Sequence, residues 1–404
     1  MHRVVITGAG CVSPLGLSAD STWAAMREGQ PGIGPLTGLS ATDLRTPVAA
    51  QLKGYVPTEH FEEKRLVLLD PVSQYALIAA RQAVAQAGLR CEGELADRAA
   101  VVIGTGIGGA VTQDQIARRL YSERNPRVHP MAIVRVMPNA PASQISLELG
   151  WRGPTFAVAS ACASANHALA QALLLLQTGA AEVALAGGTE ACITVPTVKA
   201  WEAMRVLADD TCRPFSLGRR GLVLGEGAGV FVLETLAHAQ SRGANILAEL
   251  AGAGMSADAA DIVMPDANGA ARAMRAAMAQ AGLAPQDVGY INAHGTGTVA
   301  NDRTETQAIH AVFGAHARAL AVSSTKSMHG HALGAAGALE LIAVLGTLRE
   351  GVLAPTINHL EADPECDLDV VPNVARERRV DAALSNSFAF GGLNAVLADR
   401  KSVV

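Results

Sequence analysis

The stretch "TFAVASACASANHALAQAL" (155–173) has the pattern of a short apolar strand, a turn of small residues and then a helix. The same order occurs in "ALAVSSTKSMHGHALGAAGALELI" (319–342), and "VVITGAGCVSPLG" (4–16) is echoed by "LAELAGAGMSADAAD" (247–261). Sequence rich in alanine and glycine also produces such echoes by chance. If they reflect a duplication, the chain consists of two similar halves that meet near residue 248.

The chain as a whole has the pattern of an α/β protein. Short strands rich in Val, Ile and Ala alternate with longer helices rich in Ala and Leu, which is typical of parallel sheets covered by helices. Strands are predicted in segments 3–10, 99–109 and 182–191. A helix is predicted over 70–88, with Asp70 as its N-cap and Gly88 just past its end.

The composition excludes several classes of protein. Half of the 404 residues are hydrophobic, 17% are charged and the net charge is −5. These values are typical of a globular chain long enough for two domains, and they argue against nucleic acid as a partner. No apolar run is long enough to span a membrane and the first residues lack a signal-peptide pattern, so we expect a cytoplasmic protein. The six cysteines form no CxxC pair, which predicts reduced thiols and no metal site.

One glycine motif does not indicate a cofactor. The segment "GAGCVSPLG" (8–16) begins like a dinucleotide-binding fingerprint, but Ser13 stands at the third glycine position. No acidic ribose partner follows at a suitable spacing. We therefore expect neither a nicotinamide nor a flavin site.

Cys162 follows a predicted strand (156–160) and opens a predicted helix (162–178). The positive end of the helix dipole and nearby free N–H groups are expected to favour the thiolate and lower the thiol pKa. The arrangement resembles the strand–turn–helix nucleophile elbow of hydrolases. By position alone, however, a buried structural cysteine is the more common explanation.

The first segment that favours a catalytic role is "INAHGTGTVANDRTE" (291–305). It places His294 in a loop between a short apolar strand and the polar start of a helix. The glycines allow a ligand close to the backbone, and Thr296 and Thr298 can donate hydrogen bonds. A loop of this composition is unsuited to a core, so His294 is a candidate functional residue.

The second segment is "SSTKSMHGHALGAAGALE" (323–340). It carries Lys326, His329 and His331 where a helix of small residues begins. A cysteine with two loop histidines provides what thioester chemistry needs, because sulfur accepts the acyl group and imidazoles bind or transfer protons around a developing enolate.

The order of these motifs resembles the β-ketoacyl-[acyl-carrier-protein] synthases of the elongation type, which use one cysteine and two histidines. The resemblance covers essentially the whole chain. Its further motifs are "GTGIGG" (104–109), "AGGTEA" (186–191), "RPFS…GEGAG" (213–229) and "SNSFAFGGLNAVL" (385–397). The family implies an α/β fold of the thiolase-like, five-layered αβαβα type, built from two similar halves that we place at 1–248 and 249–404. It implies no cofactor besides the phosphopantetheine of the carrier protein.

The resemblance also implies a role for each matched residue. Cys162 would accept the acyl chain, in an oxyanion hole formed by its own N–H and that of Phe390. His294 and His331, kept neutral, would hold the thioester oxygen of malonyl carrier protein while carbon dioxide leaves. The other matched positions are an ion pair of Lys326 with Glu340, a gate of Phe388, Phe390, Gly391 and Gly392, pantetheine contacts of Thr296 and Thr298, and Ile107 in the acyl pocket.

The resemblance implies two kinds of partner. The first is an acyl carrier protein, which would deliver both substrates. The second is another copy of the chain in a homodimer, with a chain-length-factor-like subunit in a heterodimer as the alternative.

Several positions depart from the family pattern. They are Ala389 for glycine, Leu393, Val263 and His329 for threonine, Ser216 and Arg220 for aspartate, Leu222 for phenylalanine and Asp261 for histidine. We expect these residues to surround the tunnel and the gate without touching the Cys-His-His set, and Ala389 to stiffen the gate loop. On that basis we favour a specialised polyketide or aryl polyene synthase over a housekeeping fatty-acid elongation enzyme, which stays the alternative.

Three other classes fit less well. Thiolases need a second cysteine in a C-terminal C-x-G, whereas the last cysteine here, Cys366, lies in the acidic segment "DPECDLD". Initiation-type and chalcone-synthase-like enzymes use Cys-His-Asn, which the HGH at 329–331 argues against. A non-catalytic subunit that sets chain length would lack Cys162.

Overall fold

The structure is a computed structural model that describes residues 1–39 and 44–401. The two predicted halves also include residues 40–43 and 402–404, which lie outside the described residues. Within the described part of the chain, no helix is long and apolar enough to cross a membrane.

The first half of the chain folds from β1 to α10. Its strands are β1 Val4–Val12, β2 Gly34–Pro35, β3 Val48–Ala49, β4 Ala99–Gly104, β5 Thr155–Val158, β6 Val183–Glu190 and β7 Gly227–Thr235. Its helices are α1 Ala19–Arg27, α2 Glu63–Leu66, α3 Pro71–Ala87, α4 Glu94–Asp97, α5 Ala110–Ala117, α6 Ala132–Val136, α7 Ala140–Leu149, α8 Ser164–Gln177, α9 Val195–Met204 and α10 Leu236–Ser241.

The second half folds from β8 to β14. Its strands are β8 Ala248–Ala257, β9 Tyr290–Asn292, β10 Ala321–Ser323, β11 Val352–Leu353, β12 Arg376–Glu377, β13 Ala382–Ala389 and β14 Leu393–Arg400. Its helices are α11 Ala267–Ala281, α12 Val299–Phe313, α13 Lys326–His329 and α14 Ala336–Glu350.

The two halves repeat one strand order. The first half runs β5-β4-β6-β7-β1 across the sheet, and the second runs β10-β9-β13-β14-β8. In each half the first three strands are parallel and the fourth is antiparallel to both neighbours. β1 and β8 pair antiparallel, so the ten strands form one continuous sheet. This repeat confirms two similar halves. The predicted boundary after residue 248 lies at the start of β8 and stays a prediction.

Helices form three layers around the strands. α3 and α7 cover the outer face of the first half, and α11 and α12 cover that of the second. α8 and α14 lie between the halves, where each contacts strands of both. The predicted five-layered αβαβα architecture is therefore confirmed.

Glycines of β1 allow the close approach of α3. A Cβ on Gly8 would lie 2.1 Å from the carbonyl oxygen of Ala83, and one on Gly10 would lie 1.9 Å from that of Ala79. Both separations are far inside van der Waals contact, so a strand at this place excludes any side chain. Gly8 and Gly10 thus serve the packing of α3 against β1.

The boundaries of α3 follow the predicted signals. The Asp70 carboxylate accepts the N–H of Val72 at 3.0 Å, and Gly88 ends the helix with φ of +59°. Only a residue without a side chain adopts that left-handed conformation at little cost, which explains the glycine at this position.

One carboxyl group of the sheet is buried without a partner. Asp399 in β14 is fully buried, and neither carboxyl oxygen has a hydrogen-bond partner among the described residues. Burial raises its pKa from 3.8 to about 8. The folded protein therefore keeps a proton that the unfolded chain releases, so the contribution of Asp399 to stability is lost as the pH rises from about 4 to about 8.

We expect Asp399→Asn to remove this pH dependence. Relative to the wild type, the free energy of unfolding of the variant should rise by up to about 1.4 kcal/mol per pH unit across that window. Melting temperatures of both proteins at about pH 5 and about pH 8 test this. Asp381→Asn is the matched control, because Asp381 is exposed. Parallel pH profiles for wild type and Asp399→Asn would contradict the assignment.

Candidate active site

Cys162 lies in the turn between β5 and α8. Residues Ala161–Ala163 form a 3-10 turn, and α8 begins at Ser164, two residues after the predicted start. Ala161 has φ of +48°, which is uncommon for a residue with a side chain. The Ser164 hydroxyl holds the turn by donating to the Ala161 carbonyl oxygen at 2.7 Å. The turn is tight and conformationally costly, as expected for a segment that positions a functional side chain.

A histidine from the second half contacts the thiol. His331 Nε2 lies 3.0 Å from Cys162 Sγ. The His331 ring also meets the His294 ring edge-on, with centroids 5.4 Å apart. The structure thus brings together the three side chains that the sequence singled out from distant segments.

His294 is held by its backbone and by one aromatic contact. It lies in the loop between β9 and α12, and the N–H groups of His294 and Gly295 donate to the two carboxylate oxygens of Glu305 at 2.9 and 2.8 Å. The Phe388 ring packs against the His294 ring with centroids 6.0 Å apart. These contacts fix the imidazole in one orientation.

Lys326 fixes the tautomer of His294. The fully buried Nζ donates to the His294 carbonyl oxygen at 2.6 Å, lies 3.3 Å from His294 Nδ1, and forms an ion pair with Glu340. An ammonium group can only donate, so Nδ1 accepts and the ring carries its proton on Nε2. His294 therefore presents an N–H donor at its free end.

Burial controls the protonation of the site. Burial lowers the pKa of His294 and of His331 well below 6.5, and the Lys326 charge lowers both further, so both rings are neutral near pH 7. For Cys162 the predicted direction was wrong: burial raises its pKa to about 12, and the Lys326 charge and the N–H groups of Phe390 and Cys162 offset this only in part. The resting group is a thiol. Its proton needs an acceptor, and His331 Nε2 lies within reach.

The three side chains line a cavity of about 170 Å³. Thr296 and Thr298 are on its wall with their hydroxyl oxygens 2.9 Å apart, and Thr298 also caps α12. Of the predicted gate residues, Phe388, Phe390 and Gly392 line this cavity. Gly391 is exposed and donates its N–H to the Ile262 carbonyl oxygen at 2.8 Å.

Ile107 lies on another side of the thiol. Its side chain packs against the apolar cluster that contains Cys162, and it does not line the cavity. Its N–H donates to Glu190 at 3.2 Å, and the same carboxylate accepts the N–H groups of Gly106 at 2.7 Å and Gly334 at 2.9 Å. Glu190 thereby joins the Ile107 loop to the turn that follows His331.

Sequence reasoning missed two buried carboxylates that organise the site. Glu190 and Glu305 each accept two or more backbone N–H groups, and burial raises the pKa of each to about 7. Both stand inside motifs that were recognised, "AGGTEA" (186–191) and "INAHGTGTVANDRTE" (291–305). For Glu190 the signal was an acidic residue among small and apolar neighbours, because a buried carboxylate requires several donors. The polar segment "NDRTETQ" (301–307) around Glu305 gave no such signal.

The positions that depart from the family pattern surround the cavity only in part. Leu222, Val263 and Ala389 line it, and Leu393 packs against the apolar cluster that contains Cys162. Asp261 is exposed, and its carboxylate accepts the N–H of Val263 at 2.7 Å beside the cavity mouth.

Three other departures lie away from the cavity, so the expectation that they surround the tunnel was wrong. The Ser216 hydroxyl oxygen accepts the N–H of Leu360 at 3.1 Å. Arg220 forms an exposed ion pair with Asp209. His329 is fully buried with Nε2 3.0 Å from the Thr325 hydroxyl. Ser216 and Arg220 bond within the protein, whereas Nδ1 of His329 has no hydrogen-bond partner among the described residues.

The six cysteines are free thiols. Across residues 1–39 and 44–401, no group of three or more His, Cys, Asp or Glu side chains is arranged to hold a metal ion.

Two family models together match most of the chain. Residues 1–239 match the family described as beta-ketoacyl synthase, N-terminal domain, and residues 247–360 match its C-terminal domain. Nodulation protein E of Rhizobium sp. (strain N33) is 53% identical over 400 residues, 99% of each chain. 3-Oxoacyl-[acyl-carrier-protein] synthase 2 of Staphylococcus aureus (strain N315) is 43% identical over 406 residues, 99% of this chain and 98% of the relative.

A solved structure gives the same result for the whole fold. The ishigamide ketosynthase/chain length factor superposes with a TM-score of 0.95 at 36% identity, covering 100% of both chains. The chain therefore belongs to the β-ketoacyl synthase family, the acyltransferases that join an acyl group to malonyl-acyl carrier protein by decarboxylative Claisen condensation.

Proposed function

We propose that Cys162 carries the acyl group in this condensation and that His294 and His331 act on the malonyl thioester. The observation that carries the proposal is the contact of Cys162 Sγ with His331 Nε2 at 3.0 Å, next to a His294 ring whose Nδ1 is already occupied by Lys326. A thiol, a proton acceptor and an N–H donor thus converge on one buried cavity.

Acyl transfer is the first step. Cys162 Sγ attacks the acyl thioester while its proton passes to His331 Nε2 and on to the departing phosphopantetheine sulfur, so charge and protons balance. The N–H groups of Cys162 and Phe390 lower the pKa of the Cys162 thiol, which supports a position beside the carbonyl oxygen of a bound acyl group. They form the oxyanion hole of the proposed transfer.

Decarboxylation and condensation follow. Malonyl carrier protein enters the cavity, and His294 donates its Nε2–H to the thioester oxygen. His331 donates to the same oxygen after its single ring proton has moved from Nδ1 to Nε2, since Cys162 is acylated and no longer occupies Nε2 as a donor. Carbon dioxide leaves, and the enolate attacks the acyl carbonyl on Cys162, giving the β-ketoacyl product and a free thiolate that takes up a proton. Neutral imidazoles suit this step, because each can donate to a developing negative charge without first losing a proton.

The remaining residues position these groups. Thr296 and Thr298, on the cavity wall, contact the pantetheine arm in the proposed complex, and Ile107 bounds the acyl pocket. The Lys326–Glu340 ion pair orients His294. Phe388, Phe390, Gly391 and Gly392 form the gate between the acyl and malonyl sites.

In this proposal the protein acts in the cytoplasm with an acyl carrier protein, which supplies both thioesters. No free cofactor takes part. We place it in a specialised polyketide or aryl polyene pathway, with a housekeeping fatty-acid elongation synthase as the alternative. The support is the greater identity to nodulation protein E, 53%, than to 3-oxoacyl-[acyl-carrier-protein] synthase 2, 43%. Rates with saturated, polyunsaturated and aromatic acyl primers test this. Equal and fast use of long saturated primers would favour the housekeeping alternative.

We also propose that two copies of the chain form a homodimer. Within each chain, we place the boundary between the two halves after residue 248. β5 lies at one edge of the sheet. Near it in sequence, Tyr121, Ile133 and Leu147 are 81%, 63% and 76% exposed. An exposed sheet edge with apolar neighbours is the kind of surface that a second chain covers. The alternative is a heterodimer with a chain-length-factor-like subunit, and the solved structure named as a ketosynthase/chain length factor supports it. The mass of the purified chain in solution distinguishes the two.

Detection of the acyl-enzyme tests the proposed function. The wild-type protein is incubated with a panel of acyl carrier proteins and its intact mass is measured. We expect an increase equal to one acyl group, and proteolysis followed by mass spectrometry should place it on the peptide that contains Cys162. Absence of any adduct, or an adduct on another peptide, would refute the mechanism.

A further inference from the structure

The gate phenylalanine has an aromatic partner. The indole of Trp201, near the end of α9, stacks on the Phe390 ring with centroids 5.5 Å apart and an interplanar angle of 26°. Both side chains are half-buried and line the same cavity as Cys162. An offset stack of this geometry stabilises a pair beyond the burial of its area.

Phe390 contributes to the site through its backbone as well as its ring. Its N–H group lowers the pKa of the Cys162 thiol. Ring and N–H belong to one residue, so a movement of the loop backbone that carries the ring away from Trp201 also moves the N–H away from the sulfur. The two contacts are therefore coupled through the conformation of one residue.

The backbone after Phe390 consists of two glycines in a left-handed conformation. Gly391 and Gly392 have φ of +84° and +67°, where only glycine is unstrained, and a Cβ on Gly391 would meet nothing closer than 3.8 Å. The preceding Ala389 is buried in the apolar cluster that contains Cys162. Glycine therefore permits a backbone rearrangement after Phe390, whereas Ala389 before it is held by packing.

Other contacts of the loop hold its backbone and not the ring. Gly391 N–H donates to the Ile262 carbonyl oxygen at 2.8 Å, and Asp258 N–H donates to the Gly392 carbonyl oxygen at 2.8 Å. Within residues 1–39 and 44–401, the Phe390 ring contacts one aromatic side chain, that of Trp201.

We propose that Trp201 is a positioning residue for acyl transfer: its stack on Phe390 keeps the gate closed with the Phe390 N–H at Cys162. This rests on the proposed role of Cys162. The enolate oxygen of the malonyl half-reaction is held by His294 and His331, so the stack should matter more for acylation than for decarboxylation.

Single-turnover acylation of Cys162 tests the proposal. Trp201→Ala should slow acylation by about 2- to 10-fold, the size of one aromatic stack. Trp201→Phe should restore the wild-type rate, and Trp201→Leu, which keeps apolar bulk without a ring, should not. Malonyl decarboxylation, measured in a Cys162→Gln background, should fall less than acylation in Trp201→Ala and Trp201→Leu. Trp151→Phe is the matched control, because Trp151 is buried outside the cavity.

A double-mutant cycle separates coupling from general damage. If the two rings act as a pair, Trp201→Ala combined with Phe390→Ala acylates no more slowly than the slower single variant. Additive losses, equal effects of Trp201→Leu and Trp201→Phe, or a parallel loss of decarboxylation would each overturn the proposal. No acyl adduct on the wild type would instead refute the proposed function itself.

Discussion

Replacing Cys162 with glutamine is expected to lower condensation by on the order of 10⁵- to 10⁶-fold while malonyl decarboxylation continues. Glutamine removes the nucleophile, but its amide carbonyl can occupy the place of an acyl-cysteine carbonyl beside the Phe390 N–H. His294 and His331 keep their contacts with Lys326 and with each other, so the donors for the enolate survive. The measurements are release of carbon dioxide from malonyl carrier protein and mass detection of the β-ketoacyl product.

Two controls complete this prediction. Cys162→Ala should also fail to condense and should form no acyl-enzyme, because it lacks both sulfur and carbonyl. His331→Ala should lose decarboxylation as well as condensation, since its Nε2 is the ring nitrogen that faces Cys162. If Cys162→Gln lost both half-reactions while His331→Ala kept decarboxylation, the roles given to the histidines would be wrong.

Lys326→Ala is expected to lower the free energy of unfolding by about 3–5 kcal/mol and to abolish decarboxylation. The substitution leaves Glu340 as an unpaired buried carboxyl, because its other oxygen, Oε2, has no partner among the described residues. It also removes the donor that holds His294 Nδ1. Thermal or urea unfolding and carbon dioxide release measure the two effects.

The pH dependence and a double variant make this prediction specific. Burial raises the pKa of Glu340, and Lys326 lowers it. Without Lys326 that pKa should rise further. The destabilisation of the variant should therefore be smallest near about pH 4 to 5 and should increase as the pH rises. Lys326→Met combined with Glu340→Leu should recover stability without recovering activity. Recovery of both would show that the ion pair has no part in orienting His294.

Much of the fold could be predicted because it depends on local patterns. Asp70 and Gly88 mark the ends of α3 through cap chemistry that acts within one turn. The strand–turn–helix echo of 155–173 and 319–342 corresponds to β5 with α8 and β10 with α14, and the repeated strand order follows from it. The sheet that joins both halves could not be predicted, since the pairing of β1 with β8 depends on partners far apart in the chain.

The sequence by itself determined the candidate side chains, because Cys162, His294, Lys326 and His331 each stand in a motif of small residues that leaves room for a substrate. Only the tertiary structure decided their protonation states and their partners. Burial is a property of the whole fold, and here it raises the pKa of Cys162 where the local helix start had predicted a decrease. The same is true of the Trp201–Phe390 stack, whose members come from different halves and meet only when the layers pack.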